Sequence, residues 1–323
     1  MGTVPEVGIS LGAATRVGAS ANIGDGTTGF GYQFVHPWDS LQVGLHGWFH
    51  GEFHAWNNAF TGNQFVPFIE VGGKDPLALK PDNHFVSYAA YMLSDWQRPF
   101  AGLVPKRFNS PSVGVDGQPL TTRKLTVHVH DLDFYEVDPV TRKLTFNWCL
   151  VDIVGILQQG GHDLRLPKSG LDDNLQADYL PPSVMDGSPA PRRFGPQSLD
   201  EGRAKRARLV VHKALAEDFG PAARVSGRAR MWAEDMTWYG PVGIGTARNK
   251  SAFVRHFLAP FRAAFANTSL DYDVLACEGD YCAAHLRVNG LHVGEWLGVR
   301  PRTPESPERV SVRMGLHFRV QDP

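Results

Sequence analysis

Between Trp48 and Phe60 the bulky residues Phe49, Phe53, Trp56 and Phe60 recur at helical spacing, which predicts an amphipathic helix. From Asn63 onward the run Gln64–Val71 changes to the alternation of a strand. Further strands are predicted at Phe85–Leu93, Leu125–Val137 and Leu144–Ile153, the last two forming a hairpin about the turn Asp138–Lys143. A second series opens with a helix at Leu199–Phe219 that Gly220-Pro221 ends. It continues with a helix at Ser251–Ala266 and strands at Leu270–Cys277, Tyr281–Val288 and Val310–Val320. Helices followed by runs of antiparallel strands predict an α+β fold, with curved sheets folded over helices.

The second series echoes the first. Phe34, Pro37, Phe49, Phe53, Ala55, Ala59 and Asn63 align without a gap on Trp238, Pro241, Phe253, Phe257, Ala259, Ala263 and Asn267. Ala89–Met92 then meets Ala283–Leu286, Gly102 and Pro105 meet Gly298 and Pro301, and Val127–Tyr135 meets Val310–Phe318. Matches that keep their order while the offset drifts predict two domains of one fold. The expected division is an irregular lead-in at 1–30, a first domain at 31–159, a Pro-rich linker at 160–198 and a second domain at 199–323. The strand Val310–Val320 lacks the neighbour that Leu144–Ile153 gives its counterpart. Its bare edge is expected to fray or to pair with a segment from elsewhere, such as the first 30 residues.

Composition narrows the partners. The chain has 323 residues, long for one core and comfortable for two. With 32 basic and 33 acidic residues and no basic run interleaved with aromatics, a nucleic-acid surface has no electrostatic support. No apolar run approaches the roughly 20 residues that cross a bilayer, and the N-terminus lacks the pattern of a signal peptide. Cys149, Cys277 and Cys282 are too few for a disulfide framework and are not spaced for zinc, so a reducing, cytoplasmic setting is expected.

Two groups of segments resemble the SnoaL-like polyketide cyclases, within the superfamily shaped like nuclear transport factor two. One comprises Trp232-Ala-Glu-Asp-Met-Thr-Trp-Tyr-Gly-Pro, Phe253–Phe265 and Leu291-His-Val-Gly-Glu-Trp-Leu-Gly-Val. The other comprises Asp133-Phe-Tyr-Glu-Val and Lys143-Leu-Thr-Phe-Asn-Trp-Cys-Leu-Val-Asp. The resemblance implies two tandem cone-shaped α+β barrels, each with an apolar pocket at its wide end. It also implies pairing through the outer sheet faces as an internal pseudo-dimer, with a homodimer as a further option. The aspartate that acts as acid/base in the cyclases falls on Cys149, and a histidine of the preceding strand falls on Asp133. Leu316 takes the place of Asp133 in the second domain, which makes that domain catalytically degenerate.

Asp131 and Asp133 alternate onto one strand face and Asp152 lies near the end of the next strand. Carboxylates inside an apolar cone suit general acid/base work, although Asp152 also stands where a residue caps a following helix. His46, His50 and His54 fall on one helix face, and the apolar repeat partners Val254 and Leu258 place His50 and His54 toward the interior. Their expected role is pocket lining or proton transfer, with ordinary hydrogen-bonded histidines as the alternative; no metal and no cofactor are expected. His128 and His130 alternate onto the face opposite Asp131 and Asp133. Trp48, Trp56, Tyr91 and Trp96 are pocket or core aromatics, and Cys149 is a pocket residue or a small buried thiol. These residues predict a cofactor-free enzyme working by proton transfer on a small, apolar, carbonyl-bearing substrate, as a cyclase, isomerase or lyase. A non-catalytic binding or assembly module is the alternative. A third reading is an epoxide hydrolase built on Asp131, Asp133 and Arg142.

Overall fold

A computed structural model describes residues 59–75, 84–100, 102–108, 124–137, 140, 144–162, 201–221, 223, 229–241, 243–302 and 306–321. Strands β1 (Phe60–Lys74), β2 (His84–Trp96), β3 (Leu125–Val137) and β4 (Leu144–Val151) form one antiparallel sheet in chain order, followed by helix α1 (Ile153–Gln159). After helix α2 (Glu201–Phe219), a short ladder joins β5 (Trp238–Tyr239) to β6 (Thr246–Ala247). One helical run then passes through α3 (Lys250–Phe253), a π-helical turn (Val254–Leu258) and α4 (Ala259–Ala264). It leads into a second antiparallel sheet of β7 (Phe265–Glu278), β8 (Tyr281–His292) and β9 (Glu308–Arg319). The fold is α+β, and neither described sheet closes into a barrel.

β3 has the span that alternation predicts, residue for residue. Elsewhere the boundaries move for local reasons. β1 begins at Phe60, before Asn63, and α4 ends at Ala264 because Phe265 is already extended. β4 stops at Val151, two residues before the expected end, because Asp152 caps α1. The lead-in, the linker beyond His162 and all of the helix predicted over Trp48–Phe60 except Ala59 and Phe60 lie outside the described residues. β9 is paired to β8 along its whole length, so no fraying is seen.

The sheets carry their irregularities at matching places. Register shifts fall between Thr61/Gln64 and Pro67/Ile69 in β1, and between Ala266/Ser269 and Tyr272/Val274 in β7. Gly62 and Asn267, inside the first shift of each, both have positive φ. The Ala59 carbonyl accepts from the Gln97 and Arg98 amides, as the Ala264 carbonyl does from Val293 and Gly294. Phe100 bridges Leu103 around Gly102 as Trp296 bridges Val299 around Gly298. The registers of the two sheets correspond differently from the expected alignment at two points. Gly62, one residue before Asn63, matches Asn267, a slip the size of the insertion that a π turn makes in a helix. Ser87-Tyr88, two residues before Ala89-Ala90, match Ala283-Ala284, a slip that leaves the strand's facing unchanged and its hydrophobic pattern blind to it.

Both sheets are buried on two faces. On the helix side of the first, Leu125, Val127 and Val129 pack with Phe60, Trp96 and Ile156. On its other face Val71, Phe85 and Phe134 meet Val274, Ala276, Tyr281 and Ala283 of the second sheet. The helix side of the second sheet carries a larger core, in which Leu275, Ala284, Leu286, Leu316 and Phe318 pack under Phe253, Phe257 and Phe261. The carboxyl end of α2 has no basic residue in its last turn, and Arg262 of α4 supplies one. Its guanidinium donates to the carbonyls of Glu217 and Asp218 and to the Asp218 carboxylate, at 2.7 to 3.0 Å.

The interface between the sheets is polar at its centre. His317 Nε2 lies 2.8 Å from Ser87 Oγ, and His285 Nδ1 lies 2.8 Å from Asp273 Oδ2. Both imidazoles pack against Phe134. Gly315 allows this approach: a Cβ there would lie 2.4 Å from Leu150 Cδ1 and 3.0 Å from Phe134 Cε2. At the rim, Asp75 accepts from the Leu275 amide, and Glu278 accepts from the Gly72 amide.

The cysteines hold one pairing that their spacing did not suggest. Cys277 and Cys282 form a disulfide. The two-residue turn Gly279-Asp280 makes them register partners across the β7–β8 hairpin, so proximity follows from the turn rather than from a framework of bridges. The pairing withdraws the support that free thiols lent to a reducing compartment. No helix among the described residues is long and apolar enough to cross a membrane.

Two tests follow from the interface. Gly315→Val should lower the urea-unfolding free energy by about 1–3 kcal/mol through overpacking against Leu150 and Phe134; an unchanged value would show that the sheets do not meet there. Burial also lowers His317 from 6.5 to about 3, so in acid the unfolded chain takes up a proton that the folded chain refuses. That contribution is whole above pH 6.5 and is lost as pH falls toward 3, at about 1.4 kcal/mol per pH unit. The thermal midpoint should accordingly fall between pH 6.5 and 4, and His317→Gln should flatten the fall.

Candidate functional site

Alternation in β3 sends Asp133 and Tyr135 to the helix side of the first sheet, while Leu132 and Phe134 face the second sheet. Asp133 is 1% exposed. Its register partner on β2 is Tyr88, so the two Cβ atoms point to the same side. The Tyr88 hydroxyl donates to Asp133 Oδ2, and the Tyr135 hydroxyl donates to the same oxygen at 3.2 Å. The two phenol rings stack with centroids 6.3 Å apart, and both residues are buried. A carboxylate taken out of water demands donors, and these phenols provide them without adding charge. Chemically, the arrangement is a buried group able to take or give a proton, flanked by two hydroxyls able to donate to a developing oxyanion.

The other expected site residues divide by what is described of them. Asp152 accepts from the Gly155 amide at 2.8 Å and caps α1, which is the structural role its position allowed. Cys149 is the register partner of Asp133 on β4, and Asp131 pairs with Ala90 and Val151 in the adjacent rung. Tyr91 pairs with His130, three residues along β2 from Tyr88 and thus on the alternate face of the strand. Of these three, the backbone positions alone are described. His46, His50, His54, Trp48, Trp56 and Arg142 lie outside the described residues. Trp96 is fully buried core, its indole donating to the Arg98 carbonyl at 2.7 Å. His130, on the face opposite Asp133, is lowered to about 4 by burial, with the nearby His128 adding to the effect. No group of three or more potential metal ligands converges among the described residues.

Tyr88 and Tyr135 were missed by sequence reasoning. Tyr135 had a signal, since it stands two residues from Asp133 on the same strand face. Tyr88 had none, because its place beside Asp133 depends on the β2–β3 register.

The second sheet shows the contrast. Ala284 pairs with Leu316 where Tyr88 pairs with Asp133, and Phe318 stands where Tyr135 does. All three are buried and apolar. Where the first sheet carries a carboxyl group and two phenols on its helix side, the second carries hydrocarbon.

Comparison with known families agrees with the geometry of the second sheet. Residues 214–323 match the family model of the SnoaL-like domain. No curated protein sequence matches the chain. The matched segment covers the end of α2, the helical run and all of β7, β8 and β9. The likeness to the SnoaL-like domain thus lies in the C-terminal part of this chain, residues 214–323.

Proposed function

We propose that the chain consists of two tandem cone-shaped domains of this one fold, a catalytic first and a degenerate second, packed as an internal pseudo-dimer. The first performs general acid/base proton transfer on a small, largely apolar molecule that carries a carbonyl group, in a cyclisation, isomerisation or carbon–carbon lysis. The matched register shifts and bridges of the two sheets support the reading as two copies. One observation carries the chemistry: a buried carboxylate, Asp133, held by two phenols on the helix side of the sheet. Asp133 takes the proton α to the substrate carbonyl and returns it, while Tyr88 or Tyr135 turns its hydroxyl from the carboxylate to the oxygen that gains charge. Proton transfer by a positioned carboxylate contributes about 10²–10⁴-fold to such a rate. The buried row Ala284, Leu316 and Phe318 supports a non-catalytic role for the second domain.

The reading is tested by proton exchange, for which the natural substrate need not be identified. A panel of small apolar ketones is incubated with the full chain in deuterium oxide, and deuterium uptake α to the carbonyl is followed by NMR. Asp133→Asn should reduce uptake by about 10²-fold or more, and Tyr88→Phe by about tenfold. Uptake equal in parent and Asp133→Asn would sink the assignment. Saturable ketone binding with no uptake at all would favour the binding-module alternative.

A further inference from the structure

Asp133 is gripped from both sides of its strand, and the second grip comes from the other half of the chain. Ser87, beside Tyr88 on β2, is buried, and its hydroxyl donates to the Asp133 carbonyl at 2.7 Å. That bond uses the one proton the hydroxyl has, so the contact with His317 Nε2 at 2.8 Å must run the other way. His317 is therefore the Nε2–H tautomer, donating to Ser87 Oγ. Its Nδ1 is left buried without a partner, a position that only a neutral ring fills at low cost. The ring also packs on Phe134, the neighbour of Asp133 in the chain. Gly315, two residues earlier on the same face of β9, removes the side chain that would hold β9 away from Phe134.

From this chain of bonds we infer that His317 is a positioning residue for Asp133, acting through Ser87. On the reading that Asp133 is the reactive group, the catalytically empty half supplies a part of the site of the other. The imidazole fixes the rotor of Ser87, Ser87 fixes the Asp133 peptide, and the fixed peptide keeps the carboxylate beneath the two phenols. The dependence is one of geometry, since His317 lies on the far face of the sheet and reaches no substrate.

The test follows the Asp133 carboxyl carbon by NMR through a pH titration of the full-length chain labelled with ¹³C-aspartate, its signal being the one lost in Asp133→Asn. Loosening the peptide lengthens the phenol bonds, which favour the charged form, so the titration midpoint should rise by about half a pH unit in Ser87→Ala and in His317→Leu. The double variant should rise no further than either single one, because both cut one chain. His317→Gln, whose amide N–H reaches the place of Nε2, should keep the parent midpoint. A midpoint unmoved in Ser87→Ala, or additive shifts in the double variant, would overturn the inference even where thermal stability falls. If His317→Leu does not fold, Ser87→Ala and His317→Gln decide the matter between them. Turnover is not the readout, so the two proposals fail separately: coupled midpoints without ketone exchange sink the enzyme reading alone, and exchange with an unmoved midpoint sinks this one alone.

Discussion

Both the site and the interface depend on β3 being buried on its two faces at once. Over Asp131–Val137 its backbone is satisfied by β2 on one side and β4 on the other, so around Asp133 the two faces compete through side chains alone. A one-residue slip of register would carry Asp133 into the interface and Phe134 into the site, with every polar partner lost. That exchange is forbidden because each polar group has a local match: Tyr88 and Tyr135 for the carboxylate, Ser87 for the carbonyl. Apolar burial of Phe134 against the second sheet then holds the register from the other side.

How much of this was legible in the sequence can be judged residue by residue. Alternation sufficed for β3, and with it for the opposition of Asp133 to His130, because both are local properties of one strand. The strands β8 and β9 were legible too, since Tyr281–Val288 and Val310–Val320 both alternate as strands do. What alternation cannot carry is pairing. The place of Tyr88 beside Asp133, the facing of Cys277 and Cys282, and the two-residue offset at Ala89 are all matters of register, which a period of two does not resolve. Arg262 was hidden for a different reason: its partners lie at the end of another helix, and nothing in the local pattern marks an arginine as buried. The capping of α1 by Asp152 was visible as an option and is the one its geometry takes.

The two halves treat polar groups differently on their two faces. On the helix side the second half has none of the row that the first half keeps. On the sheet side it holds His285 and His317 in the shared interface. A face that meets only its own helices can be refilled without reference to the rest of the chain. A face shared between halves cannot, because any change must be answered across the interface.

The buried rows on the helix sides of the two sheets also differ in how readily each could be exchanged for the other. Exchanging a buried carboxylate for a leucine removes a group that needs donors, and a well-packed apolar core tolerates the loss. The reverse step at Leu316 alone would bury a charge beside Ala284 and Phe318, neither of which has a hydrogen to offer. The penalty, several kcal/mol, is comparable to the whole margin of stability of an ordinary domain. Two phenols would have to arrive first, at positions where neither is useful by itself. The apolar row of the second sheet is thus easy to keep and hard to turn back into a polar one.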